Sequence, residues 1–146
     1  MHAVGQLVRS DAAIKVEHAG ARVAMFGNAS AGGINSIAVS PNSQRVCVTG
    51  GAASYGARIY DVGGQTPVLL TSHALATAAS AVSVTADSRF FLVRAGASMD
   101  GTSFYDGATG ARIIAFGNST AGGISSIAVA PNAQRACVTG GAGADG

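Results

Sequence analysis

An all-β fold built from repeated units of four antiparallel strands is what this chain of 146 residues predicts, on three observations. Residues 21–52 return ninety positions later at 111–142 with 23 of the 32 positions identical. A shorter period of 45 aligns INSIAVSPNSQRVCVTGG (34–51) with ASAVSVTADSRFFLVRAG (79–96) and with ISSIAVAPNAQRACVTGG (124–141). Within each copy, apolar residues alternate with small polar ones over short runs bounded by Gly, Pro, Asn and Asp, the pattern of half-buried strands. A fixed period of this size makes each unit one supersecondary element whose apolar faces need a neighbour.

Taken in order, the first copy contains strands at Arg22–Phe26, Ile34–Ser40, Arg45–Thr49 and Arg58–Val62. Ser40-Pro41-Asn42-Ser43 and Ala130-Pro131-Asn132-Ala133 place Pro where its fixed φ suits the second position of a turn, closing a hairpin. Asp61-Val62-Gly63-Gly64 and Asp106-Gly107-Ala108-Thr109-Gly110 supply Gly for a positive φ before the last strand. The 21 glycines disfavour long helices.

The segments AVSPNSQRVCVTGG (38–51) and ARIYD (57–61), with TSFYD at 102–106, resemble the WD40 repeat, with Tyr60-Asp61 and Tyr105-Asp106 at its Trp-Asp position. The run Val46-Cys47-Val48-Thr49-Gly50 is also similar to the YVTN type of propeller repeat. The chain departs from the WD40 pattern in having no Trp and no Gly-His pair before the second strand. The resemblance covers nearly the whole chain and implies a β-propeller, with blades of four antiparallel strands.

The phase of the repeat then divides 1–146, taken as one propeller repeat domain, into three blade equivalents. Residues 34–72 and 79–117 each hold a complete blade, and the third is split between the chain termini, with inner strands in 124–140 and outer strands in 12–27. Propellers need at least about four blades, so one such chain does not close a ring. Two completions fit. Two chains exchanging ends would pair Arg135–Thr139 of one with Ala12–Val16 of the other, giving self-association through terminal strands. Alternatively, the chain belongs to a longer propeller, which the stronger ninety-residue period favours: residues 66–97 match 21–52 at 8 of 32 positions only.

Charged residues make up 11% of the chain, and its eight Arg and one Lys are scattered without a cluster, so nucleic-acid binding is not expected. Mean hydropathy is positive, yet Gly, Ser, Asn or Arg interrupts every apolar stretch, so no membrane-inserted helix is expected. The N-terminal segment has no basic region followed by an uninterrupted apolar one, which predicts a cytoplasmic protein.

Cys47 and Cys137 hold equivalent repeat positions, too far apart for a bridge and without metal-ligand spacing; both are expected to be buried free thiols. His2, His18 and His73 fall at unrelated repeat positions and are expected at the surface. Asp61, Asp87 and Asp106 lie at strand ends, where carboxylates cap turn N–H groups. The Gly-rich loops at 27–33 and 117–123 lack the helix or Lys of a phosphate cradle. These observations predict no catalytic residue, cofactor or metal. The expected function is a non-catalytic propeller module that binds protein partners through its loop face, with Arg9, Tyr55 and Met99 as the candidate binding residues. The alternative is a small-molecule or sugar-binding propeller, or a YVTN/lactonase-like enzyme domain.

Overall fold

The computed structural model describes residues 6–10, 13–18, 21–26, 32–52, 55–75, 78–95, 101–116, 124–132 and 134–140, the first three of these segments as backbone. Every regular element among them is a β-strand. They are β1 (Gln6–Ser10), β2 (Ala13–His18), β3 (Ala21–Phe26), β4 (Ile34–Val39), β5 (Arg45–Gly50), β6 (Ala57–Asp61), β7 (Val68–His73), β8 (Ala79–Val84), β9 (Phe90–Ala95), β10 (Thr102–Asp106), β11 (Arg112–Phe116), β12 (Ile124–Val129) and β13 (Ala136–Gly140).

The strands form antiparallel sheets in simple up-and-down order: β1-β2-β3, β4-β5-β6-β7, β8-β9-β10-β11 and β12-β13. The two four-stranded sheets occupy the spans expected for complete units. Their register repeats as closely as the sequence does. A β-bulge interrupts the first pair of each unit at Ile34/Ser36, Ala79/Ala81 and Ile124/Ser126, at intervals of 45 residues. A second bulge falls at Ile59/Tyr60 and Phe104/Tyr105. Bulges bend and twist a strand locally, so the units share curvature as well as pairing.

The hairpin turns follow from a hydroxyl and an Asx side chain two residues later. Ser43 N–H donates to the Ser40 carbonyl at 2.7 Å, closing a turn with Pro41 in second position, and Ser40 N–H donates to the Arg45 carbonyl at 2.9 Å. The Ser40 hydroxyl donates to Asn42 Oδ1 and accepts from Arg45 N–H. Thr85 and Asp87 repeat this around Phe90. These local bonds hold Ser43 and Ser88 at φ 58° and 62°, in the left-handed region that serine seldom occupies. Gly110 has the positive φ expected of it, 75°, but Gly63 and Gly64 do not: Asp61 Oδ1 instead accepts from Gly63 N–H and shapes that turn.

Alternation along β5 distributes the core. Val46 and Val48 pack with Ile34 and Tyr55 on one face, and Cys47 points to the other. There Cys47, Ala57 and Ile59 meet Ala79, Val82, Phe91, Val93 and Tyr105 of the next sheet. The two four-stranded sheets are thus stacked face to face, inner strand β4 beside inner strand β8. A Cβ on Gly110 would press on Leu70 and Thr71 of β7, so this glycine also permits close approach of the outer strands.

No ring closes among the described strands. β13 pairs with β12 and with no other described strand. The pairing of Ala12–Val16 with Arg135–Thr139, expected from the repeat phase, meets an element that the sequence did not announce. β1 lies along that edge of β2, in the register Leu7↔Val16, Val8↔Lys15 and Arg9↔Ile14.

Candidate interaction surface

Of the three residues expected on a common face, Tyr55 alone has a described side chain. Tyr55 is 2% exposed, folded back from the β5–β6 loop onto Val46 and Val48. The Arg58 guanidinium lies 4.1 Å from the centre of its ring, a cation–π contact that covers it further. Burial, reinforced by Tyr60, pushes the Tyr55 hydroxyl pKa upward. Tyr55 is therefore part of the core. Arg9 lies in β1, and Met99 is outside the described residues.

A cleft of about 320 Å³ opens between the two stacked sheets at their hairpin ends, lined by Asn42, Arg45, Asp87, Arg89 and Asp106 among others. Each charged group there has a structural task. Arg45 pairs with Asp61 at 3.1 Å, and the Arg89 guanidinium stands 5.0 Å from the Phe90 ring centre. Asp87 Oδ1 accepts from Thr85 Oγ1 and from Arg89 N–H, and Asp106 Oδ1 accepts from the N–H groups of Ala108 and Thr109 and from the Thr109 hydroxyl. Hydrogen bonds from the Thr85 side chain hold the Asp87 carboxyl below its usual range, and those from the Thr109 backbone do so for Asp106. These bonds give Asp87 and Asp106 the turn-capping role expected from their positions. Among the described residues, no group of three His, Cys, Asp or Glu is placed to hold a metal ion.

His73 is partly exposed, in keeping with the expected surface histidine, whereas the expected pair of buried thiols needs correction. His73, half-buried at the end of β7, stacks edge-on against Tyr105 of the next sheet with ring centres 5.9 Å apart, and accepts from Arg112 Nη1 when that nitrogen of the ring is unprotonated. Cys47 is buried and free as expected, but Cys137 is free and exposed. The two cysteines differ because their surroundings do. β5 lies between β4 and β6 under a neighbouring sheet, whereas β13 has no strand beyond it among those described.

That contrast extends along the strand. Val46, Cys47, Val48 and Thr49 of β5 are all buried, while Ala136, Cys137 and Thr139 of β13 are exposed. Apolar side chains also stand open on the outer strands. Val68 and Leu69 of β7 are 57% and 46% exposed, and Ile113 and Ile114, 45 positions later on β11, are 55% and 47% exposed. Ile113 and Ile114 border an apolar hollow of about 220 Å³ whose far side is Val129 and Ala136 of the β12–β13 hairpin. The equal spacing of these apolar pairs was visible in the sequence, although their exposure depends on their place in the outermost strand.

No helix among the described residues is long and apolar enough to cross a membrane. No protein-family model matches the chain, and the search of curated proteins finds no match.

Proposed function

We propose that the chain is a non-catalytic interaction module of the β-propeller kind, a stack of four-stranded blades that is completed by association and that holds protein partners. The observation that carries this reading is the exposure of β13. Its repeat equivalent β5 is buried, so an element of core composition stands with no further described strand on its outer side. An unpaired strand edge of this type is a template for another strand, and continuing the sheet stack would cover the hollow beside Ile113 and Ile114. Completion comes from a second copy or from further blades of a longer chain.

Sedimentation of the chain across micromolar concentrations tests the reading. Self-association that is lost on substituting Val138→Pro in β13 supports completion by a second copy; a monomer at every concentration counts against it and leaves further blades of a longer chain.

The polar cleft at Asn42, Asp87 and Asp106 favours a second reading, a small polar ligand such as a sugar. Calorimetric titration with mono- and disaccharides tests that one, and heat abolished by Asp106→Asn would support it.

A further inference from the structure

The register of β1 on β2 carries a more specific conclusion, which rests on the reading above. In the first complete sheet the strand paired to β6 is β5, and Cys47 stands opposite Ile59. Both are fully buried. In the second complete sheet the same positions are Leu92 opposite Phe104, with Leu92 fully buried. A shift of 45 residues carries Ile59 to Ile14 on β2, and a shift of 90 carries Cys47 to Cys137 on β13. The cross-strand pair of the first sheet, cysteine against isoleucine, is thus present again, divided between two strands that do not pair with each other in one chain.

The residue that does stand opposite Ile14 is Arg9. Arginine is an unusual residue for a position that is fully buried in both complete sheets, at Cys47 and Leu92, because charged residues are seldom fully buried. Ser10 likewise stands opposite Ala13, at the position of Val48 opposite Arg58. β1 is a poor match for the second strand of a blade, and β13, with the sequence ACVTG against VCVTG of β5, is a close one.

We propose that β1 is a placeholder on β2, displaced when β13 of a second copy of this chain pairs there and brings Cys137 opposite Ile14. Two chains exchanging these strands each complete the other's split blade. The partner is a second copy because the repeated pair is Cys with Ile, as in the first sheet, and the same sequence supplies both members. Away from this pair β2 departs from β6: Lys15 stands at the place of Tyr60, and the bulge between β2 and β3 falls at Val16/Glu17, two residues later than the equivalent of Ile59/Tyr60.

The geometry of the first sheet provides a test. Gly50 N–H donates to the Gly56 carbonyl and Val62 N–H to the Gln44 carbonyl, which makes 50↔56 and 44↔62 hydrogen-bonded pairs. Such pairs alternate along an antiparallel ladder, so Cys47↔Ile59 is of the other kind, with Cα atoms about 4.5 Å apart. That spacing lies within the range of about 4.4–6.8 Å that a disulfide spans. The full chain carrying Ile14→Cys, mildly oxidised, is therefore expected to form a covalent dimer, with a 14–137 disulfide between chains mapped by mass spectrometry and abolished by adding Cys137→Ser. The double substitution Val8→Pro with Arg9→Pro removes β1 amides from the ladder and is expected to tighten self-association roughly tenfold, about 1.4 kcal/mol.

Three results overturn the proposal. A 14–137 disulfide within one chain means that the chain closes on itself. A dimer that forms without the 14–137 link, and that the β1 prolines weaken, removes the placeholder while leaving assembly intact. A monomer at all concentrations removes the assembly reading itself.

Discussion

The Asn35 side-chain amide donates from Nδ2 to the Ala79 carbonyl at 2.7 Å, joining the inner strands of two successive sheets. Asn35 is the extra residue of the bulge between Ile34 and Ser36, so its side chain is not committed to the local ladder. One residue on, the Ser36 hydroxyl accepts from Val82 N–H at 3.2 Å. The equivalent of Asn35 in the next unit, Ser80, instead bonds Arg94 within its own sheet.

Asn35→Ala is therefore expected to destabilise the chain by about 1–2 kcal/mol, since it leaves the carbonyl of a buried Ala79 without this donor. Ser80→Ala, at an exposed position, should cost about 0.5 kcal/mol or less. Urea unfolding monitored by circular dichroism measures both, and equal losses would remove the special role of the intersheet bond.

The turn networks make a paired prediction. Thr85 is buried, and its hydroxyl donates to Asp87 and accepts from Phe90 N–H; Thr85→Val should cost about 1–3 kcal/mol by orphaning that N–H. The third unit has Ala130 at this place, yet keeps the backbone bond from Ala130 N–H to the Arg135 carbonyl and the Asn132 cap on Gln134 N–H. Ala130→Ser should supply the missing hydroxyl and raise stability by about 0.5–1 kcal/mol. Thermal unfolding of the two variants is the measurement, with opposite signs expected.

Acid should weaken the same turns. The carboxyls of Asp87 and Asp106 have pKa values lowered from 3.8 by the hydrogen bonds they accept. A group whose folded pKa lies below its unfolded one contributes stability that is present above the unfolded value and is lost as pH falls through the folded one. Unfolding midpoints are thus expected to be level from neutral pH to just above the carboxylate range and to fall below it. Asp106→Asn should shrink that fall, and an unchanged profile would show that other groups control it.

The two thiols should react at very different rates. Burial raises the pKa of Cys47, which suppresses the reactive thiolate, and Cys137 is exposed. Titration of the dilute native protein with an aromatic disulfide reagent should release one equivalent rapidly and the second only on unfolding. Two fast equivalents would contradict the burial of β5.

Much of the strand plan was legible because alternation and turn chemistry are local. The spans 34–72 and 79–117 foresee β4 to β7 and β8 to β11 within a residue or two. Asp61, Asp87 and Asp106 cap turns as their positions suggest. The misses share a different cause. Tyr55 sits in a loop between strands, and only the fold shows that the loop turns back, at Gly56 with φ 54°, to lay the ring on Val46 and Val48. His73 has no repeat equivalent, and its ring contact with Tyr105, thirty-two positions away on the next sheet, comes from sheet packing that alternation does not report. β1 is a short run, QLVRS, whose two apolar neighbours are followed by Arg and Ser, so alternation gives it no face. Cys137 repeats Cys47 in sequence, but no described strand lies beyond β13 to bury it. Periodicity reports strands and their partners within a unit; burial is decided by the neighbouring sheet.

Amide hydrogen exchange at β13, compared with β5, tests most directly whether an element of core composition stands open until the chain associates. Residues 45–50 should exchange slowly at every protein concentration, whereas residues 136–140 should exchange rapidly in dilute solution and become protected as concentration rises through the micromolar range. Slow exchange of 136–140 in a dilute monomer, equal to that of 45–50, would contradict the account.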